Sequence, residues 1–137
     1  MKSLVSVLLI VFSFACSIRP AVLGEWKAVR DYDFFHEEWR PTREDVSLIL
    51  LSDGKYRIVK FGANDKAGTF TIDTTVNPHR IILTDEGDDR VTRGVYQLNG
   101  DKLTVRASDK PGATEFPTNF DPSDDDARFE LIEFQRE

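Results

Sequence analysis

The stretch GVYQLNGDKLTV, residues 94–105, decides the fold because it joins two apolar segments through a strong turn signal. Asn99-Gly100-Asp101 has the residues that tight β-hairpin turns favour, since Gly accepts a positive φ and Asn and Asp tolerate it. Residues 90–98 before this turn and residues 102–107 after it predict two antiparallel strands, with Leu103 and Val105 buried.

The same pattern of short apolar strands and turns continues outward in both directions. Residues 52–54 (Ser-Asp-Gly) predict another hairpin, and Asn64-Asp65 predicts a turn within residues 62–67. Residues 30–45 and 108–128 predict two long connections. Eight antiparallel strands joined mainly by short turns are best satisfied by an all-β, up-and-down barrel, which leaves no exposed edge; a two-sheet sandwich is the competing fold. The predicted strands are residues 24–29, 46–51, 55–61, 68–73, 80–84, 90–98, 102–107 and 129–136.

The N-terminus has the pattern of an export signal. A charged Met1-Lys2 precedes an apolar run at residues 4–15, which is too short for a bilayer span of about 20 residues. Small residues precede Cys16 at −3 and −1, so Cys16 lies where a bacterial lipoprotein is lipidated, although Ser13 stands where such proteins usually have an aliphatic residue. Lipidation of Cys16 and simple removal near this point both remain open.

We therefore predict a signal peptide at residues 1–15, a tether at residues 16–23 and one domain at residues 24–137. The protein is expected to be secreted or held in the cell envelope, with contact to the membrane only through an anchor at Cys16. The formal net charge of −6 argues against nucleic acid or an anionic membrane surface as a partner. Cys16 is the one cysteine, so no intrachain disulfide staples the domain, which we expect to be monomeric.

An ordered set of motifs resembles a family of lipocalin-like extracytoplasmic domains abundant in planctomycetes. The resemblance covers about residues 24–136, and the family has no assigned biochemical activity. One departure is Phe116, since the family usually has Arg immediately before its Pro-Thr-x-Phe motif. The matching motifs are residues 24–26 (GEW), 68–73 (GTFTID), 77–78 (NP), 81–84 (IILT), 94–103 (GVYQLNGDKL) and 117–120 (PTNF), and Arg136.

The resemblance implies that these motifs build the barrel. In lipocalin-like barrels the Trp of the first strand packs across the closed end, and an Arg from the last strand stacks on it, which implies a Trp26–Arg136 pair here. The other positions with an implied structural role are Gly24, Gly68, Asn77, Pro78, Gly94, Gly100, Asp101, Pro117 and Phe120.

The sequence contains no recognisable catalytic or metal-binding pattern. His36 and His79 lie in predicted loops without further zinc-ligand spacing around them. The acidic stretches at residues 85–89 and 121–126 lack the spacing of a calcium-binding EF-hand loop. No Gly-x-Ser-x-Gly motif occurs. We therefore expect a protein that is not an enzyme and uses no metal or cofactor.

Two functional hypotheses follow from the predicted barrel. In the first, the interior binds a small hydrophobic ligand. In the second, the barrel is filled, and residues 30–45 (with Phe34, Phe35 and Trp39) and 108–128 contact another envelope protein. The candidate ligand-binding residues are Tyr56, Ile58, Phe70, Ile72, Tyr96, Leu103 and Val105.

Overall fold

A computed structural model of the chain describes residues 20–42, 45–108, 114–122 and 129–137. The predicted signal peptide and Cys16 lie outside these ranges. None of the elements in the described ranges is a helix of the length and apolarity needed to cross a bilayer. The strands are β1 (Gly24–Asp33), β2 (Glu38–Pro41), β3 (Val46–Leu50), β4 (Lys55–Lys60), β5 (Ala63–Asp73), β6 (His79–Asp85), β7 (Val91–Asn99), β8 (Lys102–Ser108) and β9 (Glu130–Arg136).

The sheet closes into the predicted eight-stranded antiparallel barrel. Strands β3 to β9 pair in chain order, and β1 pairs with both β3 and β9. Trp26 on β1 lies opposite Leu48 of β3 on one side and opposite Arg136 of β9 on the other. The closed β1–β9 pairing confirms the up-and-down barrel over the sandwich.

The prediction of a long connection over residues 30–45 was wrong. β1 continues to Asp33, and its second half pairs with β2. β2 lies on the same side of β1 as β3, which pairs with the first half of β1. The turn between β1 and β2 contains no Gly. Instead, Glu37 adopts a φ of 54°, and the Asp33 carboxylate accepts the backbone N–H of both Phe35 and His36.

The prediction of a turn around Asn64-Asp65 was also wrong. β5 begins at Ala63, and the turn before it consists of Phe61 and Gly62, which have φ values of 53° and 79°. A register shift between Ile58 and Val59 marks a β-bulge that keeps this longer β5 paired with β4.

The register separates inward-facing from outward-facing side chains. Residues directly opposite each other in neighbouring strands share a face, as do residues two apart in one strand. The face that carries Leu50, Tyr56, Phe70 and Tyr96 points into the barrel, and these residues belong to one core cluster. We term the end with the β3–β4, β5–β6 and β7–β8 turns the closed end, and the opposite end the open end.

The closed end is covered by residues 20–23, the last part of the segment predicted as a tether. Val22 is buried, and its carbonyl oxygen accepts the indole N–H of Trp26 at 2.8 Å. The guanidinium of Arg136 lies 4.1 Å from the Trp26 ring centroid and donates to the carbonyl oxygens of Leu23 and Ala21 at 2.9 and 2.8 Å. The expected Trp26–Arg136 pair is therefore present, and it also fastens the preceding chain to the barrel.

Several other motif residues lie where the backbone is constrained. A Cβ on Gly68 would lie 1.9 Å from the Thr84 carbonyl oxygen, so only Gly permits this approach of β5 to β6. The Asn77–Pro78 peptide bond is cis and lies between β5 and β6. Gly100 has a φ of 62° in the β7–β8 turn, as the hairpin requires.

Residues 114–122 contact outward-facing arginines of β6 and β8. Arg106 faces outward yet is buried, and its Nη1 donates to the Asn119 side-chain oxygen at 3.1 Å and to the Asn119 carbonyl at 3.3 Å. Pro117 is buried, and Phe116 lies under the Arg80 guanidinium at 4.4 Å. This part of the predicted contact loop is thus occupied by its own barrel.

A buried carboxylate also lies on the outer face, where β8 and β9 meet β1. Glu133 is ion-paired to Arg30, and its Oε1 lies 2.8 Å from the Lys102 Nζ. Burial opposes ionisation of Glu133, but these two cations outweigh it and hold the pKa of the carboxyl below its ordinary value. The pair network therefore contributes stability only while Glu133 is ionised.

Candidate functional site

The candidate site is the barrel interior, and the structure brings all seven predicted lining residues into one cluster. Four of them are buried: Tyr56, Phe70, Tyr96 and Leu103. The other three, Ile58, Ile72 and Val105, pack against the buried set but keep part of their surface exposed. The arrangement shows which side chains face inward.

Exposure inside the barrel differs between its two halves. Trp26, Leu50 and Leu103 fill the closed half and are almost completely buried. In the open half, five inward-facing apolar side chains are only partly buried. At the closed end, Leu23, Ile72 and Leu98 also keep some exposure beside the turns. The partly buried residues of the open half are Val46, Ile58, Leu83, Val105 and Ile132.

Sequence reasoning missed three of these inward-facing residues. Val46, Leu83 and Ile132 lie in predicted strands but were not assigned to the interior. A consistent period-2 pattern would have found Leu83, because Ile81 and Leu83 share a face. Ile132 could have been assigned in the same way from Phe134.

Tyr56 lies in an inward-facing row with Gly68 and Asp85, on three adjacent strands. Because Gly68 has no side chain, the Tyr56 ring packs over it, with Cε1 only 3.0 Å from where a Gly68 Cβ would be. Burial raises the pKa of the Tyr56 phenol, and the charges of Asp85 and Asp88 raise it further. The phenol therefore remains a neutral hydrogen-bond donor in an acidic surrounding.

Tyr96 lies elsewhere on the barrel wall, opposite His79 of β6 and Val105 of β8. Its ring centroid is 5.5 Å from that of His79. The Nδ1 of His79 lies 3.0 Å from the Val76 carbonyl oxygen, an acceptor, so Nδ1 carries the proton and donates. Burial raises the pKa of the Tyr96 phenol as well.

The rim of the open end carries charged side chains. A register shift between Ala28 and Arg30 turns Asp31 and Asp33 toward the interior face. The Arg40 guanidinium lies 3.2 Å from an Asp31 oxygen and 3.0 Å from an Asp33 oxygen. The hydrogen bond from His36, whose Nδ1 lies 2.6 Å from Asp33, holds the pKa of the Asp33 carboxyl below its ordinary value.

The two histidines lie at opposite ends of the barrel. His36 is in the β1–β2 turn at the open end, whereas His79 begins β6 at the closed end. Across the described ranges, no three His, Cys, Asp or Glu side chains are grouped as metal ligands would be. The structure thus does not bring the two predicted loop histidines together.

No family model, no curated protein and no solved structure matches this chain. The fold assignment therefore depends on the strand pairings themselves, and the candidate site depends on the residues that those pairings turn inward.

Proposed function

We propose that this protein is an exported, lipocalin-like, non-catalytic barrel that binds a small hydrophobic ligand in its open half. The observation that carries the proposal is the partial exposure of large inward-facing apolar side chains there. An apolar wall that water reaches gains free energy when a ligand replaces the water, at about 25 cal/mol per Å² buried. The covered closed end leaves the open end as the entrance.

The proposal includes the features predicted from the sequence. We propose that residues 1–15 direct export, that the protein acts as a monomer without a cofactor, and that it belongs to the lipocalin-like family it resembles. Expression in an exporting bacterial host, followed by mass analysis of the mature N-terminus, tests this part. A mature chain beginning at a diacylated Cys16 supports the anchor. An unlipidated mature chain supports plain secretion, and an unprocessed cytoplasmic chain contradicts export.

A titration with the neutral, environment-sensitive dye Nile red tests ligand binding. Ile58→Trp fills the open half from the inward face, whereas Arg57→Trp places the same side chain on the outward face of the same strand. We expect saturable binding to wild type and to Arg57→Trp, and its loss in Ile58→Trp when circular dichroism shows both variants folded. Equal binding by both variants, or no saturable binding to wild type, would contradict the proposal.

A second candidate function is a protein-interaction module of the cell envelope. The observation that favours it is the exposure of two aromatic side chains in turns at the open end, Phe35 at 88% and Phe61 at 70%. A double Phe35→Ser, Phe61→Ser variant that loses a partner captured by wild type, but retains dye binding, would favour this alternative.

A further inference from the structure

Two tyrosines face into the barrel interior. Tyr56 and Tyr96 are only 3% and 4% exposed, and both face into the barrel. Neither phenolic hydroxyl makes a hydrogen bond to any residue that the structure describes. Buried tyrosine hydroxyls normally have a partner, and one without a partner costs about 1–3 kcal/mol.

Each of the two phenolic oxygens also keeps some solvent exposure. Among the described residues, the side-chain atoms that are fully enclosed and lack a hydrogen bond belong to Thr42 and Arg106, and neither phenolic oxygen is one of them. Solvent therefore reaches both oxygens. With Ile58 and Val105 partly exposed nearby, the interior offers an apolar wall with two polar points, which is the composition of a ligand pocket.

The charges around the open half are unfavourable for an anionic ligand. The inward-facing ionisable groups near the mouth contain more carboxylates than cations, and the acidic turn after Asp85 adds to them. Arg40 lies between Asp31 and Asp33 and offsets one of these two charges. Lys60, whose Nζ lies 4.0 Å from an Asp65 oxygen, and Lys66 oppose the remaining carboxylates, so an excess of negative charge is left among these groups. The carboxylates are Asp31, Asp33, Glu38, Asp85 and Glu130, and the cations are Arg40, Lys60 and Lys66.

We infer that the ligand is a neutral, mostly apolar molecule with one hydrogen-bonding oxygen function, such as an alcohol, ketone or ester, which the hydroxyls of Tyr56 and Tyr96 hold inside the barrel. This inference rests on the proposed function, because it names the chemical class of ligand for the same site. It excludes fatty-acid carboxylates as preferred ligands, although their chains would fit the same apolar wall.

Displacement of Nile red by a matched series of ten-carbon compounds tests the inference. Decane has no oxygen, 1-decanol has a neutral oxygen and decanoate is anionic at pH 7.5. One or two hydrogen bonds of about 1 kcal/mol each correspond to a 5- to 30-fold preference for 1-decanol over decane. We expect 1-decanol to bind tightest and decanoate to gain affinity in Asp85→Asn.

The chain has three tyrosines, so two Tyr→Phe variants in the barrel interior can be compared with one control variant outside it. Tyr56→Phe and Tyr96→Phe should each weaken 1-decanol about fivefold and leave decane unchanged. Tyr32→Phe should change neither, because Tyr32 lies on the outer face against Trp39.

The outcomes separate the two proposals. If decane and 1-decanol displace the dye equally, or decanoate binds tightest, the inference about ligand class is overturned while ligand binding stands. If no compound displaces the dye and no saturable dye binding occurs, the proposed function fails, and the inference fails with it.

Discussion

Replacing Trp26 by Ala should destabilise the protein more than any other single aromatic truncation in the described chain. Its side chain is completely buried in the closed half, and truncation of a buried Trp costs about 3–5 kcal/mol through lost burial and the residual cavity. The variant also loses the hydrogen bond to Val22 and the Arg136 stacking contact, worth about 1 kcal/mol and about 0.5–2 kcal/mol. We therefore expect a total loss of about 4–6 kcal/mol, since these contributions are only partly additive.

Trp39→Ala is the matched control, because Trp39 also lies against an arginine, with the Arg30 guanidinium 4.5 Å from its ring. Trp39 belongs to the β1–β2 hairpin outside the closed half and is only partly buried, so its loss should cost about 1 kcal/mol, as expected for a partly exposed cation–π contact. Urea unfolding followed by far-UV circular dichroism measures both values through the midpoint and slope.

The comparison has a clear refuting result. A loss below about 1 kcal/mol for Trp26→Ala, well under the 3–5 kcal/mol typical of core aromatic truncations, would show that Trp26 does not close the barrel. Equal losses for the two Trp variants would show that the closed end contributes no more than the hairpin. If Trp26→Ala cannot be purified folded, Trp26→Phe keeps the test quantitative, since it retains a ring but removes the Val22 hydrogen bond.

Four further substitutions test the turns, the close approach of β5 to β6, and the outer ion pairs. Gly68→Ala should lose at least 1–3 kcal/mol in urea unfolding by colliding with the Thr84 carbonyl, whereas Gly62→Ala, which has open space but a φ of 79°, should lose about 1 kcal/mol; a reversed order would contradict the contact. Phe61→Asn should raise the free energy of unfolding by about 0.5–1 kcal/mol, and with it the melting temperature, because Asn tolerates the positive φ of this exposed position better. A lower melting temperature would mean that the Phe61 ring makes a stabilising contact. The pKa of Glu133 is lowered in the folded protein. The ionised carboxylate therefore stabilises the fold at pH values above the ordinary carboxyl pKa, and this stabilisation is lost as the pH falls through the pKa of the folded state. Glu133→Gln should therefore be less stable at pH 7 by about 1–3 kcal/mol and lose less stability than wild type between pH 5 and pH 3, and parallel pH profiles would refute this.

Most of the barrel could be predicted because alternation and turn residues report local structure directly. The hairpin around Gly100 and the strands on either side of it follow from period-2 apolar residues and a Gly with positive φ. The β1–β2 hairpin was missed because its turn obtains the positive φ from Glu37 and its hydrogen bonds from the Asp33 side chain. Such a turn has no distinctive sequence.

The candidate site was predictable in its membership but not in its depth or polarity. Alternation assigned Ile58 and Val105 to the interior, but only the register across neighbouring strands shows which half they occupy. The bulge after Ala28 turns Asp31 inward, and a one-residue shift of this kind reverses the face of every following side chain. The hydrogen-bond partners of the tyrosines depend on the packing of the whole interior, so the residues next to each Tyr in the sequence do not predict them.

The two tyrosines bear on the choice between a filled and a hollow barrel. In a barrel whose interior serves stability alone, Phe at position 56 or 96 would fill nearly the same volume without leaving a polar group unpaired, which costs about 1–3 kcal/mol. The interior instead contains two phenols whose oxygens keep some solvent exposure. A ligand with an oxygen function keeps these phenols hydrogen-bonded when it displaces the water around them, whereas a hydrocarbon leaves them unpaired and pays this cost. The effect would appear as a melting temperature that rises more with 1-decanol in wild type than in the Tyr56→Phe, Tyr96→Phe double variant.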